Sequence, residues 1–177
     1  MRVISEREQF PGHDGNQLAA RFDRPEVGEP QAVAIFAHCF TCTKDILAAK
    51  RIAARLVSRG VAVLRFDFTG LGHSEGEFAN THFSSNVDDL VAAAKHLEGR
   101  GLSPSLLVGH SLGGAAVIAA AERLPGVKAV ATVGAPYDPA HVVHNFGSNL
   151  DVIEREGEAE LVLAGRPFTI RLSLIHI

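Results

Sequence analysis

The sequence predicts an α/β fold built on a mostly parallel sheet with helices on both faces. Three observations carry that prediction. Short apolar runs recur at 32–37 (AVAIFA), 61–66 (VAVLRF), 106–109 and 127–133. They are mostly apolar rather than alternating, as strands buried on both faces are. Between them lie segments with helical spacing, so strand and helix alternate along the chain.

Each element follows in order. Residues 9–22 read as a hairpin, with the turn-rich Phe10-Pro-Gly-His-Asp-Gly-Asn leading into 18–22, and this adds an antiparallel edge. The run 32–37 is the first buried strand. A helix is predicted over 44–59, with Ile46, Ala49, Ala53 and Leu56 on one face and Lys44, Arg51, Arg55 and Ser58 on the other. Gly60 ends it, and 61–66 is the next strand. A polar, glycine-rich loop fills 67–83. Ser84 or Ser85 then caps a helix that buries Val87, Leu90, Val91, Ala94 and Leu97. The strand 106–109 leads into an alanine-rich helix over 112–124, broken by Pro125-Gly126 before the strand 127–133. The pattern then weakens. Short helices are expected at 139–146 and 149–156, and a hairpin over 160–171 turning at Gly165-Arg166.

Composition narrows the function classes. Lys and Arg number 17 against 20 Asp and Glu in 177 residues, a formal charge of −3. That balance gives no electrostatic reason to expect nucleic acid or an anionic membrane as partner. The first ten residues carry four charges and no apolar signal segment. No apolar run approaches the ~18 residues of a membrane span. Two cysteines make no secreted disulfide framework. The expectation is a soluble cytoplasmic protein.

The strongest motif is Gly109-His110-Ser111-Leu112-Gly113, a G-x-S-x-G with a strand before it and a helix after it. The sharp turn exposes the Ser111 hydroxyl as a nucleophile. Gly109 and Gly113 allow neighbouring backbone to pass close, and His110 fills the variable position of the turn. The Leu112 amide, at the helix start, points at a substrate oxyanion. Asp67 opens Asp-Phe-Thr-Gly-Leu-Gly-His-Ser-Glu-Gly. This stretch is not a dinucleotide fingerprint, because no helix opens directly on its glycines. Asp67 is expected to accept backbone N–H bonds within that loop. His73, His82, His96, His141 and His144 are read as solvated or packing residues.

Cys39-Phe-Thr-Cys42 is a C-x-x-C after a strand and before a helix, which offers an alternative: a thiol redox module whose first cysteine is activated by the helix start. His38, Cys39 and Cys42 are three adjacent ligand types, but no second pair stands at finger spacing, so no metal and no other cofactor are expected.

Together, in order, these motifs resemble the α/β-hydrolase superfamily. The segments Ala37-His-Cys-Phe-Thr-Cys-Thr-Lys-Asp45, Leu64-Arg-Phe-Asp-Phe-Thr-Gly-Leu-Gly-His-Ser-Glu-Gly76 and Phe83-Ser-Ser-Asn-Val-Asp88 are similar to the hydrolase half of bacterial proteins that join such a domain to an OsmC-like domain. Gly109-His-Ser-Leu-Gly-Gly-Ala115 and Gly134-Ala-Pro136 fit as well. The resemblance implies an α/β-hydrolase fold, incomplete at its C-terminal end, and an OsmC-like domain in the same chain of the whole protein. It implies that Ser111 attacks a small ester, thioester or amide, and that the loop after 32–37 supplies a second oxyanion amide. Cys39 holds that loop's usual glycine position, so the donor is Phe40.

The order Ser, then Asp or Glu, then His leaves Asp138, Asp151, His141, His144 and His176 downstream of Ser111. None of these histidines follows a further core strand. The expectation is therefore a partial hydrolase domain over 1–171, with its core to about 136 and the start of a cap over 137–171. Its catalytic Asp and His lie beyond the chain, which leaves it inactive by itself. Residues 172–177 read Leu-Ser-Leu-Ile-His-Ile. That matches a translation of CTG-TCT-CTT-ATA-CAC-ATC, a transposase adapter end, and is expected to be non-native. A third reading is a non-catalytic binding protein on the same fold.

Overall fold

The computed structural model describes residues 2–138, 147, 149–163 and 165–175. Strands β1 (Val3–Pro11) and β2 (Gln17–Pro25) form the leading hairpin. β3 (Ala32–Ala37), α1 (Leu47–Val57), β4 (Val61–Phe66), α2 (Phe83–Glu98), β5 (Leu106–His110), α3 (Leu112–Ala121) and β6 (Ala129–Val133) follow in alternation. The sheet order is β1-β2-β4-β3-β5-β6. β4, β3, β5 and β6 run parallel, and β1 and β2 add the antiparallel edge.

Both faces of the sheet are covered at its centre, over β3, β4 and β5. Val33, Ile35 and Ala37 of β3, with Leu64 and Phe66 of β4, enter one apolar cluster with Leu90, Ala94 and Leu97 of α2 and Ala116 and Ala120 of α3. Ala34 and Phe36, with Val63 and Val108, face the other way against Ala49, Ala53 and Val57 of α1. That alternation is the two-residue period of a strand expressed on two buried faces.

Several boundaries differ from expectation: the leading hairpin spans residues 3–25 and not 9–22, α1 ends at Val57 and not 59, α3 ends at Ala121 and not 124, and β6 starts at Ala129 and not 127. α1 begins at Leu47, not Lys44, because Lys44 is buried and spent on Asp67. α2 is capped by His82: its Nδ1 accepts from Ser85 N–H at 3.1 Å, and Ser85 Oγ accepts from His82 N–H at 3.0 Å. Ser85 thus closes a capping box from the third helical position instead of acting as the cap.

Beyond β6, α4 (Asn149–Glu156) precedes the hairpin of β7 (Glu158–Leu163) and β8 (Arg166–Arg171), as expected from the sequence. Ile153, Leu161 and Ile170 are buried in the main cluster. α5 (Leu172–Ile175) is one short turn. The expected helix 139–146 lies outside the described residues. Among the described residues β6 pairs with β5 alone, and it is exposed along its whole length, including Val130 and Val133.

The strand order positions the site. From β3 the chain crosses to β4 on one side, then returns past β3 to β5 on the other. The carboxyl ends of β3 and β5 therefore flank a point where the winding reverses, where open α/β sheets form their binding crevice.

Candidate active site

The turn between β5 and α3 is held in a strained backbone. Ser111 has φ 53° and ψ −120°, and it is the one non-glycine residue with positive φ among the described residues. Such a conformation costs about 1–3 kcal/mol and persists only where its surroundings force it. Here they do. Ser111 N–H donates to Val133 O at 2.9 Å, and Gly114 N–H donates back to Ser111 O at 2.8 Å. A Cβ on Gly113 would lie 2.5 Å from both Ala37 O and His38 O. One on Gly109 would fall onto the Gly113 carbonyl. The two glycines are therefore fixed by close backbone approach, as expected. Leu112 is the first residue of α3, so its N–H has no intrahelical acceptor. No side-chain partner of Ser111 Oγ occurs among the described residues.

The facing loop, 38–46, is pinned at both ends. At its start His38 is fully buried, and burial holds its imidazole below the ordinary 6.5. The neutral ring donates from Nδ1 to Cys39 O at 2.7 Å and accepts at Nε2 from Phe68 N–H at 3.3 Å. At its far end Asp67 accepts from Lys44 N–H at 2.6 Å, Lys44 Nζ at 2.7 Å and His73 N–H at 3.0 Å. Asp67 thus ties the loop after β4 to the loop after β3, and Lys44, which helical spacing sets on the polar face of a helix, is its buried cation partner. Arg65 adds a hydrogen bond to Lys44 O and a buried pair with Asp23 at 2.6 Å.

Between those anchors lie Cys39, Phe40 and Cys42. The two cysteines are joined as a disulfide across a turn in which Cys42 N–H donates to Cys39 O. Phe40 N–H has no acceptor among the described residues. The Phe40 ring packs edge-on to Phe78 at 4.9 Å and against Phe168 of β8 at 6.1 Å. Arg166 of the same hairpin donates to Thr41 O. The β7–β8 hairpin thus rests on the loop that carries Phe40.

Among the described residues no downstream acid or base is hydrogen-bonded to Ser111. Asp138 and Asp151 are exposed, the latter in the first turn of α4. His141, His144 and His176 lie outside the described residues. His13 and His96 bond Asp89 and Glu8, at 2.8 and 2.9 Å. No helix is long and apolar enough to cross a membrane.

The profile of the hydrolase family described as serine aminopeptidase, S33, matches residues 28–155. The chain belongs to this family of α/β-hydrolases. Among solved structures it is similar to the esterase domain from a Rhodothermus marinus protein, with 46% identity over 99% of this chain and 67% of that one and a TM-score of 0.70. A putative hydrolase from Agrobacterium vitis S4 shares the fold, with 18% identity, 99% and 70% coverage and a TM-score of 0.75. So does Est1E from Butyrivibrio proteoclasticus, solved with ferulic acid bound, with 22% identity, 93% and 67% coverage and a TM-score of 0.76. The chain spans about two thirds of the length of these solved chains. No curated protein sequence matches it.

Proposed function

We propose that this chain is the nucleophile-bearing part of a serine esterase acting on a small acyl substrate, with thioesters and amides as the related classes. Ser111 Oγ attacks the acyl carbonyl, and a histidine outside the described residues takes its proton, oriented by an acid from the same region. The developing oxyanion is held by the N–H groups of Leu112 and Phe40, after which the alcohol leaves and water releases the acyl group. The observation that carries this reading is the strained Ser111 backbone between β5 and α3, with the unspent Leu112 amide beside it. The esterase domain at 46% identity supports the ester as the first substrate class to test.

The hairpin of β7 and β8 is read as the beginning of a cap, since Phe168 and Arg166 lean on the Phe40 loop. The cytoplasm, and an OsmC-like domain elsewhere in the whole protein, are carried from the sequence resemblance. The whole protein should hydrolyse short p-nitrophenyl esters, and Ser111→Ala should lower kcat by at least about 10³-fold. Unchanged turnover in that variant contradicts the proposal.

The thiol redox reading is favoured by one observation, the Cys39–Cys42 disulfide. The activation it invoked is weakened by the start of α1 at Leu47, which leaves both sulfurs outside the first turn of that helix.

A further inference from the structure

Ester hydrolysis has no use for two sulfurs beside the nucleophile, and its base is assigned to another histidine, yet the fold brings two sulfurs and the His110 imidazole together. Cys39 and Cys42 come from the loop after β3, and His110 is the last residue of β5. Their ligand atoms all lie within 4.8 Å of one another, and all three residues are half-buried. The two histidines of the region differ. Both nitrogens of His38 are hydrogen-bonded. The Nδ1 of His110 is buried without a partner among the described residues, a condition that buried polar atoms rarely tolerate.

We propose that Cys39, Cys42 and His110, once the disulfide is reduced, form a site for a borderline-soft divalent ion such as Zn²⁺, and that filling it closes the Phe40 loop onto Ser111. The donor set is two thiolates at C-x-x-C spacing and one imidazole, which suits zinc and excludes the hard ions magnesium and calcium. Zinc bonds of about 2.3 Å to sulfur and about 2.0–2.1 Å to nitrogen set tetrahedral ligand atoms roughly 3.5–3.8 Å apart. Once the sulfur–sulfur bond is broken the two sulfurs part to that spacing, and the imidazole, already within 4.8 Å of them, completes the set. A dithiol reductant supplies two electrons and two protons. The sulfur–sulfur bond breaks, two thiols form, and the reductant becomes its own disulfide. The ion then displaces both thiol protons to solvent. Phe40 lies between the two cysteines and His110 directly precedes Ser111, so one ion ties both halves of the site together. The disulfide form has no thiolates to give and leaves the site open.

The metal site stands independently of the esterase reading; only the closure rests on it. The test is Co²⁺ titration of the whole protein, reduced with a phosphine that is then removed. One equivalent should give thiolate-to-cobalt charge transfer and the intense visible bands of a tetrahedral ion. Zn²⁺ should bleach them, and the disulfide form should show neither. Cys42→Ser should abolish the signal and His110→Asn should weaken binding at least about tenfold. Absence of the bands in the reduced protein, or equal affinity in His110→Asn, overturns the site. Loading that leaves the rate of Ser111 labelling by a fluorophosphonate unchanged overturns the closure. Failure of Ser111 to label in either form counts against the esterase reading alone.

Discussion

The two halves of the candidate site are held by different physics. The β5–α3 turn is fixed by backbone against backbone: glycines at 109 and 113 let the Ala37, His38 and Gly113 carbonyls approach where no Cβ fits. The loop 38–46 is fixed by side chains: His38 at one end, Asp67 with Lys44 at the other, and the cysteine pair between. A steric lock has no adjustable part, so it should fail abruptly. A hydrogen-bonded loop can be loosened in steps and can respond to pH, reductant or a bound ion.

The largest effect separating the two should come from Gly113→Ala. Its methyl meets two carbonyl oxygens of a buried strand end, which cannot retreat, so a loss of more than about 3 kcal/mol is expected. Chemical denaturation of the whole protein checks it, and a loss under about 1 kcal/mol breaks the steric account.

The loop should answer more mildly. His38→Phe leaves Cys39 O and Phe68 N–H without their partner, and should cost about 1–3 kcal/mol. Its pH signature is specific. Burial holds the folded imidazole below its ordinary 6.5, so the unfolded chain binds more protons in acid. This group's stability is present above about pH 6.5 and lost as pH falls below it. Urea melts at about pH 8 and about pH 5.5 should show a smaller acid-induced loss in the variant than in the parent.

The smallest effect is a gain. Ser111→Gly removes the side chain from a positive-φ position. Relief of about 1–3 kcal/mol of strain exceeds the entropy cost of glycine, about 0.5–1 kcal/mol. The variant should melt slightly higher while losing all activity, whereas a lower melting temperature breaks the claim that strain is stored at Ser111.

Much of this was legible in the sequence, for identifiable reasons. The strands 32–37 and 61–66 are legible to the residue, because apolar runs, broken in the second only by Arg65, stand between turn residues. Gly109 to Gly113 was legible because a strained turn restricts residue type. Lys44 was not, because a lysine buried on a distant aspartate looks like any lysine at helical spacing. The His82 cap was missed because imidazole is not among the usual capping groups. The meeting of His110 with the cysteine pair was invisible, since it arises where two loops from neighbouring strands converge and no local pattern encodes that.

The central claim is that Ser111 is the nucleophile. Its most direct test is reaction of the whole protein with a fluorophosphonate, followed by peptide mass spectrometry. A single adduct on Ser111, absent in Ser111→Ala, is the predicted result. Ester turnover with Ser111 unmodified by the probe, or an adduct on another serine that tracks the loss of activity, would contradict it.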